Sequence, residues 1–382
     1  MERKNKFKSK HSYFLSLAFE QAKNNFQSKH LHFLFLAFEQ AKINLGSTSD
    51  NPSVGCVVEK NGAIISSGYT SLNGRPHAEY NALIKNKDFK NANLYVTLEP
   101  CSHYGVTPPC TNIIIKKKIK KVFYSTNDFD LRAKKKSKKI LNKNKIFVKE
   151  ALLKKKALDF YKSYYLQHSN KLPLIDAKIA ISKDYFTKNI KKKWITNFHS
   201  QKRSHLIRSM YNCLISTSKS INDDNSSLDC RIDGLEKKSP DLVILDRNLK
   251  LKKNLKLFKF SKRRKVLLFT CSNNKKRITY FKKKGIKVYK IRSLKTKIDY
   301  NNIFLFLKRM KYSRIFVESG LTLINFLIKN EFLNNIYIFK SNKNLNKYGL
   351  NYSSPNILKK IYLTNLIKVN LLGDKLYKEQ LK

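Results

Sequence analysis

Four side chains between residues 77 and 110 limit the possible fold and chemistry of this chain more than any other feature of its sequence. His77 and Glu79 lie two residues apart, and Cys101 and Cys110 follow further along the chain. One imidazole and two thiolates can hold a zinc ion and leave its fourth position open for water. A core histidine and two inert thiols would explain any one of these residues alone, but not the four in this order. We therefore predict that His77, Cys101 and Cys110 are metal ligands.

Glu79 completes the chemistry that this pattern indicates. In zinc-dependent deaminases a His/Cys/Cys site activates water, and a glutamate that is not a ligand carries the proton. The pattern therefore predicts that Glu79 is the catalytic proton shuttle of a hydrolytic deamination. Nucleobase deaminases usually carry Pro-Cys-x-x-Cys, whereas eight residues separate Cys101 from Cys110 here. The longer loop indicates a narrower group of deaminases.

The cysteine loop identifies that group. Residues 97–110 read Thr-Leu-Glu-Pro-Cys-Ser-His-Tyr-Gly-Val-Thr-Pro-Pro-Cys. This segment resembles the deaminase half of the bifunctional deaminase-reductases of riboflavin biosynthesis, the RibD family, which share Ser-His and Thr-Pro-Pro inside the loop. The resemblance also implies that Asn51, in an Asn-Pro-x-Val-Gly turn, contacts the substrate pyrimidine. An asparagine that only shapes the turn before Pro52 is the open alternative.

The second half of the chain carries motifs that resemble the family's reductase, in the same order. They are Lys-x-Ala-x-Ser-x-Asp at 178–184, Trp-Ile-Thr at 194–196 and Val-Glu-x-Gly-x-Thr-Leu at 317–323. The resemblance implies contacts with NADPH from Ala180, Trp194, Ser220, Asp224, Gly320, Leu321 and Thr322. It implies contacts with the substrate's ribose phosphate from Arg208, Leu228, Arg231 and Glu318. The two arginines would be bidentate phosphate clamps, with a solvated surface charge as the alternative for each, and a core aromatic as the alternative for Trp194.

The resemblance implies an α/β protein with two domains. A cytidine-deaminase-like α/β/α sandwich at residues 28–170 would deaminate 2,5-diamino-6-ribosylamino-4(3H)-pyrimidinone 5′-phosphate with Zn²⁺. A dihydrofolate-reductase-like domain at 171–382 would then reduce the ribosyl group to ribityl with NADPH. Residues 9–25 recur nineteen positions later as 28–44. The second copy leads into the first catalytic loop and should be the native first helix, so residues 1–27 are predicted to be a duplicated helical extension.

Several positions depart from the family pattern. Val106 stands where a Lys or Arg is usual, Thr70 where a His is usual, and Tyr185 where a Gly is usual. Lys192 replaces a common Ser, and residues 128–131 replace Asp-Pro-Asn-Pro. These changes leave the metal ligands intact but alter their surroundings. They leave open a second interpretation, in which only the deaminase or only the reductase is active.

The charge of the chain suggests a different partner. Lys and Arg number 80 against 26 Asp and Glu, for a net charge of +54, which is typical of a nucleic-acid binder such as a tRNA-editing deaminase. The lysines, however, are scattered through every segment, and Lys, Asn, Ile, Phe and Tyr are abundant together, as A+T-rich codons would produce. We expect no patch in which basic residues alternate with stacking aromatics, and we predict a small phosphorylated pyrimidine as substrate and no specific nucleic acid.

The cysteine content and the lengths of the apolar segments bear on the cellular compartment of the protein. Six widely spaced cysteines, two of them assigned to the metal, are typical of reduced thiols rather than of a disulfide framework. No apolar run approaches the ~18–20 residues of a membrane span, and no signal peptide is recognisable. We therefore expect a cytoplasmic enzyme that does not bind membranes. The sequence leaves the oligomeric state open, a homo-oligomer included.

Overall fold

The structure is a computed structural model that describes residues 29–130, 135–192, 194–260 and 263–382. The chain divides into two compact units between Ser169 and Asn170, one residue before the predicted domain boundary. We call them the N-terminal unit and the C-terminal unit. The predicted extension at residues 1–27 lies outside the described residues.

The N-terminal unit is built on one mixed sheet. Its strands and helices are α1 Lys29–Lys42, β1 Gly55–Lys60, β2 Ala63–Tyr69, α2 Ala78–Leu83, β3 Asn93–Val96, α3 Cys110–Lys116, β4 Lys121–Tyr124, α4 Ser137–Lys143, β5 Phe147–Lys149, α5 Lys154–Phe160 and α6 Lys162–Gln167. The strand order is β2-β1-β3-β4-β5. Strand β1 is antiparallel to β2 and β3, and β3, β4 and β5 are parallel.

Alternation along the strands directs side chains into two layers of core. Val57, Tyr95 and Phe123 pack with α1 on one face, whereas their neighbours in β1, β3 and β4 pack with α2, α3 and α4 on the other. This is the period-two pattern of a sheet that is covered on both faces. Helix α2 lies especially close to the sheet, because a Cβ added at Gly68 would lie 2.3 Å from the backbone oxygen of Ala78. Only glycine allows this approach.

The C-terminal unit is built on an eight-stranded sheet of order β11-β10-β9-β8-β12-β6-β13-β15. All neighbours are parallel except β13 and β15, which are antiparallel. Its elements are β6 Leu174–Ile181, β7 Lys188–Asn189, α7 Phe198–Arg208, β8 Cys213–Thr217, α8 Ser218–Asp224, β9 Asp241–Leu245, α9 Leu257–Phe260, β10 Val266–Thr270, α10 Lys275–Lys283, β11 Lys287–Lys290, α11 Lys297–Arg309, β12 Arg314–Glu318, α12 Leu321–Lys329, β13 Asn335–Lys340, β14 Gly349–Leu350, α13 Asn356–Lys359 and β15 Lys375–Gln380. Strands β7 and β14 form a separate two-stranded sheet.

Three strands that are distant in sequence become neighbours in this sheet. β12 pairs in parallel with both β8 and β6, so their carboxyl ends lie at the same edge. Ligands of open parallel sheets bind at this edge. The edge carries the residues that follow β6, β8 and β12, which include most of the predicted NADPH contacts.

Two local features interrupt the regular elements. The helical region before the domain boundary is two helices, α5 and α6, separated at Tyr161. Tyr161 is 2% exposed, and its hydroxyl lies 2.6 Å from that of Thr97, so this buried contact coincides with the break. Helix α8, which contains Ser220 and Asp224, is capped in its first turn by the side chain of Thr217.

Candidate functional site

The predicted metal ligands converge in the N-terminal unit. His77 is the N-cap of α2, Cys110 is the first residue of α3, and Cys101 lies in the loop that follows β3. The Nδ1 atom of His77 is 3.5 Å from Sγ of Cys101 and 3.4 Å from Sγ of Cys110. All three ligand atoms lie within 4.8 Å of one another.

These separations fit a tetrahedral zinc ion. With Zn–N near 2.0–2.1 Å and Zn–S near 2.3 Å, tetrahedral geometry sets nitrogen and sulfur ~3.5 Å apart. The observed distances from His77 Nδ1 agree with this value for both sulfurs. One nitrogen and two sulfurs also form the donor set that zinc prefers, and three protein ligands leave a fourth position open. The residues therefore fit the predicted ion.

The electrostatics of the ligands favour a thiolate. The backbone N–H of Cys110 donates to Sγ of Cys101 at 3.2 Å. Hydrogen bonding from Cys110 and His77 lowers the pKa of the Cys101 thiol to about 4. The contact with Cys101 and burial raise the pKa of Cys110, so Cys101 is the sulfur that ionises first.

Glu79 lies beside the ligands without belonging to their cluster. It occupies the first turn of α2 and is 3% exposed. Burial and, next, the charge of Cys101 raise the pKa of Glu79 to about 7. A carboxyl group with a pKa near neutrality can both accept and return a proton, as a general acid–base catalyst must.

One pocket joins the ligand cluster to the other predicted contact of the deaminase. Asn51 lines it together with His77 and Glu79, and Thr70 lines it as well. The hydroxyl of Thr70 accepts a hydrogen bond from the backbone N–H of Val54 at 2.9 Å. In place of the usual histidine, this residue therefore braces the loop that carries Asn51. The other lining residues are Pro52, Val54, Arg75, Leu98, Glu99, Cys101, His103, Gly105, Thr107, Asp128, Asp130 and Tyr164.

Glu99 is a functional residue that the sequence analysis missed. Its carboxylate is 2% exposed and accepts from the backbone N–H groups of Asp128, Lys135 and Ser137 at 3.1, 2.9 and 3.2 Å. The hydroxyl of Ser137 donates as well, at 3.0 Å. Glu99 thus anchors the first residue of the altered 128–131 segment and two residues that follow it. Its position two residues before Cys101 could have indicated that Glu99 lies near the metal site. A carboxylate buried there needs hydrogen-bond donors.

The C-terminal unit holds a buried ion pair at the carboxyl edge of its sheet. Arg208 donates from Nη2 to Oε2 of Glu318 at 2.9 Å and also from Nε to Oε1. Its Nη1 donates to the backbone oxygen of Asp229 at 3.0 Å. Both side chains are buried, and a buried carboxylate requires such a partner.

This ion pair bears on the predicted phosphate clamp at Arg208. In the structure, Nε and Nη2 of its guanidinium donate to Glu318. Arg231 differs, because 63% of its side chain is exposed and its nearest carboxylate, Asp229, lies at 3.3 Å. Of the two predicted clamps, Arg231 is therefore the one that presents its charge to solvent.

Lys178 was also missed by the sequence analysis. Its Nζ lies 3.7 Å from Oε2 of Glu318, and 20% of its side chain is exposed. Burial lowers the pKa of Lys178. The sequence offered one indication of Lys178, because it is the lysine of the Lys-x-Ala-x-Ser motif. In the structure this motif lies on β6 beside β12.

The structure brings several predicted NADPH contacts together. Oγ of Ser220 accepts from the backbone N–H of Gly320 at 3.1 Å, directly before α12 begins with Leu321 and Thr322. Asp224 ends α8.

The other predicted contacts are distributed around this edge. Ala180 lies on β6, half-buried against the core. Trp194 is 50% exposed rather than part of the core. The side chain of Leu228 is 6% exposed and packs in the core, so any contact of Leu228 with substrate falls to its backbone.

Comparison with known proteins identifies the family of each half of the chain. Residues 27–126 match the cytidine and deoxycytidylate deaminase zinc-binding region, and residues 173–343 match the RibD C-terminal domain. The riboflavin biosynthesis protein RibD of Actinobacillus pleuropneumoniae is 30% identical over 300 residues, covering 77% of this chain and 79% of that protein. RibD of Aquifex aeolicus is 31% identical over 297 residues, covering 77% and 82%.

Solved structures show the same architecture. A diaminohydroxyphosphoribosylaminopyrimidine deaminase/5-amino-6-(5-phosphoribosylamino)uracil reductase from Thermotoga maritima has a TM-score of 0.74 at 26% identity, covering 92% of this chain and 98% of that one. RibD of Acinetobacter baumannii, at 24% identity and a TM-score of 0.72, shares the fold. These matches confirm the predicted fold class, a cytidine-deaminase-like domain joined to a dihydrofolate-reductase-like domain.

Two family models in tandem, relatives similar over three quarters of the chain and a zinc-fitting donor set agree with one another. The chain belongs to the RibD family, the bifunctional zinc-dependent deaminases and NADPH-dependent reductases of riboflavin biosynthesis.

Proposed function

We propose that His77, Cys101 and Cys110 hold the zinc ion of the deaminase and that Glu79 transfers its protons. The observation that carries this assignment is the pair of distances, 3.5 and 3.4 Å, between one imidazole nitrogen and two sulfurs. When bound, zinc makes water a nucleophile near neutral pH. Glu79 would take a proton from the attacking water and return it to the departing ammonia, because it is buried in the first turn of α2, close to the ligand His77.

The proposed substrate of this unit is 2,5-diamino-6-ribosylamino-4(3H)-pyrimidinone 5′-phosphate. Asn51, which lines the same pocket as His77 and Glu79, orients the pyrimidine, since its amide can donate to and accept from ring substituents. Residues 28–170 form this domain and residues 171–382 the reductase, an assignment that the two family matches support.

In the reductase, NADPH supplies the hydride when bound, and the protein orients it and sets the local charge. Ser220 and residues 320–322 hold its phosphates, because a backbone N–H at the start of a helix suits an anion. Ala180, Trp194 and Asp224 complete the cofactor contacts around the same sheet edge. Arg231, with the backbone of Leu228, receives the phosphate of the substrate.

The buried pair of Arg208 and Glu318 acts in this proposal by positioning Lys178. Opening the ribosyl ring to ribityl leaves its ring oxygen in need of a proton. Lys178 is the candidate donor, because burial lowers its pKa and so makes the ammonium a stronger acid. Glu318 fixes its ammonium at 3.7 Å.

Separate assays of the two steps test the assignment. Purified full-length protein should bind zinc, release ammonia from the substrate and then oxidise NADPH. Activity in only one assay would favour the alternative of a single active half. Activity in neither assay, with zinc bound, would refute the roles proposed for both sets of residues.

We further propose that the enzyme acts on small molecules in the cytoplasm and binds no specific nucleic acid. All six cysteines are free thiols, which supports a reducing compartment. Within the described ranges, no helix is both long and apolar enough to cross a bilayer. The oligomeric state, a homo-oligomer included, is open to measurement by sedimentation.

We expected no surface patch that combines basic residues with aromatic rings, but the C-terminal unit has one. Lys188 and Lys219 lie 5.1 and 4.2 Å from the ring centre of Tyr352, and Lys191 lies 3.9 Å from that of Tyr348. A basic and aromatic patch therefore exists beside β7 and β14. Tyr352 is 50% exposed, and in the structure each of the two rings has at least one lysine ammonium close to it. Tight, salt-sensitive RNA binding without turnover of a pyrimidine nucleotide would refute the small-molecule proposal.

A further inference from the structure

One cationic side chain and several carboxylates line the deaminase pocket. Among the described residues that line it, Arg75 is the only Lys or Arg. The carboxyl groups that line it belong to Glu79, Glu99, Asp128 and Asp130. An anionic group of a ligand is therefore favoured beside Arg75 and disfavoured beside the ionised carboxylates.

Arg75 is held toward the cysteine loop. Its Nη1 donates to the hydroxyl of Thr107 at 3.1 Å, and Thr107 also lines the pocket. The side chain of Arg75 is half-buried, so its charge is only partly screened by water. It lies two residues before the metal ligand His77 and is thus fixed next to the reacting end of the pocket.

The loop itself offers no cation at its tip. Val106 is 83% exposed and stands where the family resemblance leads one to expect a Lys or Arg. Within the same loop, Nδ1 of His103 is buried and has no hydrogen-bond partner among the described residues. The pocket therefore combines one fixed guanidinium with a polar nitrogen that lacks a partner, both on the side of the cysteine loop.

We propose that Arg75 binds the 5′-phosphate of the deaminase substrate, with the hydroxyl of Thr107 as second donor. This inference rests on the proposed function, since it assigns the phosphate of the proposed substrate to a place in the pocket. A guanidinium can donate two parallel hydrogen bonds to a phosphate, and Arg75 uses one of its five N–H groups on Thr107. Arg75 thereby supplies the charge that Val106 lacks.

The test compares the phosphorylated substrate with the same compound after removal of its phosphate. Arg75→Gln should lower kcat/KM for ammonia release from the phosphorylated compound about 10- to 100-fold, the loss of a charged hydrogen-bonding partner. The dephosphorylated compound should be deaminated at the wild-type rate. Zinc content and NADPH oxidation should be unchanged, because neither depends on this guanidinium.

Two further variants separate binding from a role in bracing the loop. Thr107→Val removes the hydrogen bond at 3.1 Å but keeps the cation, so it should reduce turnover of the phosphorylated compound less than Arg75→Gln does. Val106→Arg in the Arg75→Gln background should restore part of the lost kcat/KM. Such a rescue would not occur if Arg75 only supported the fold.

Each other outcome counts against the inference. Equal losses with both compounds, or loss of zinc in Arg75→Gln, would show that Arg75 is structural. Unchanged turnover of the phosphorylated compound would place the phosphate elsewhere. The wild-type protein is assayed beside the variants. If the wild type releases no ammonia, the proposed function itself is refuted. If the wild type turns over normally and the Arg75 variants do not behave as expected, only the role proposed for Arg75 is refuted.

Discussion

The ion pair between Arg208 and Glu318 gives a quantitative prediction for the C-terminal unit. Burial would raise the pKa of Glu318, but Arg208 and Lys178 outweigh it and lower that pKa to about 2, from an ordinary 4.5. This difference corresponds to about 3 kcal/mol of folding free energy at neutral pH. Glu318→Gln keeps the size of the side chain and leaves two buried cations without their carboxylate. It should therefore destabilise the unit by about 3 kcal/mol at pH 7, near the range for breaking a buried pair.

The pH dependence of this loss follows from the direction of the pKa change. A lowered pKa stabilises the folded state fully above about pH 4.5, and the stabilisation disappears as the pH falls through about 2. At pH 3 roughly half of it is left, so the difference between wild type and Glu318→Gln should shrink to roughly half of its value at pH 7.

Urea unfolding followed by tryptophan fluorescence measures these differences. Trp194 is the only tryptophan of the chain and belongs to the C-terminal unit, so it reports on that unit. Glu379→Gln is the matched control, because Glu379 is 4% exposed and accepts from Asn365 rather than from a cation. It should cost about 1 kcal/mol. A loss below 1 kcal/mol in Glu318→Gln, or one that does not change between pH 7 and pH 3, would refute the reasoning.

Three further variants test other parts of the structure. Cys110→Ser should abolish zinc binding and ammonia release while NADPH oxidation of the deaminated substrate persists; retained zinc, measured by atomic absorption, would contradict the ligand assignment. Lys178→Met should lower the rate of NADPH oxidation about 100-fold or more with little change in NADPH affinity, and a wild-type rate would exclude Lys178 as proton donor. Gly68→Ala should destabilise the N-terminal unit by about 1–3 kcal/mol and weaken zinc binding, because its Cβ would meet the backbone of the helix that carries Glu79; an unchanged Tm and zinc affinity would show that the helix moves freely.

The candidate metal site could be predicted from the sequence, because zinc accepts few kinds of donor. A metal ion accepts few donor types and one geometry, so His77, Cys101 and Cys110 indicate a site even before the fold is known. The strands were predictable for a different reason, because β1 and β3 are short, mostly apolar runs, and the structure buries them almost continuously.

The pairing of charged groups was not predictable in this way. Arg208 and Glu318 are 110 residues apart, and the sequence assigned both of them to a substrate phosphate. Which cation a buried carboxylate takes depends on the sheet order that makes β12 and β6 neighbours and on the helix that packs beside them. The same holds for Glu99, whose four donors come from a later segment of the chain.

The effect of Tyr185 was only partly predictable from the sequence. The sequence shows that it replaces a family glycine, but not why glycine was there. The structure gives Tyr185 a φ of 65°, in the left-handed region where a side chain costs roughly 1–2 kcal/mol. Its ring packs partly against the core and lies 4.7 Å from Nζ of Lys340, and these contacts offset part of that strain.

The antiparallel strand β15 has a consequence for solubility. It covers β13, whose Ile336, Tyr337, Ile338 and Phe339 are all buried. Without Lys375–Gln380, the amide and carbonyl groups of this apolar strand would be exposed along its length, a template for pairing with other chains. β15 itself carries Lys375 and Lys378, which are not buried, and charges on an outermost strand discourage such pairing. We therefore expect that a chain shortened before β15 self-associates despite its high net charge.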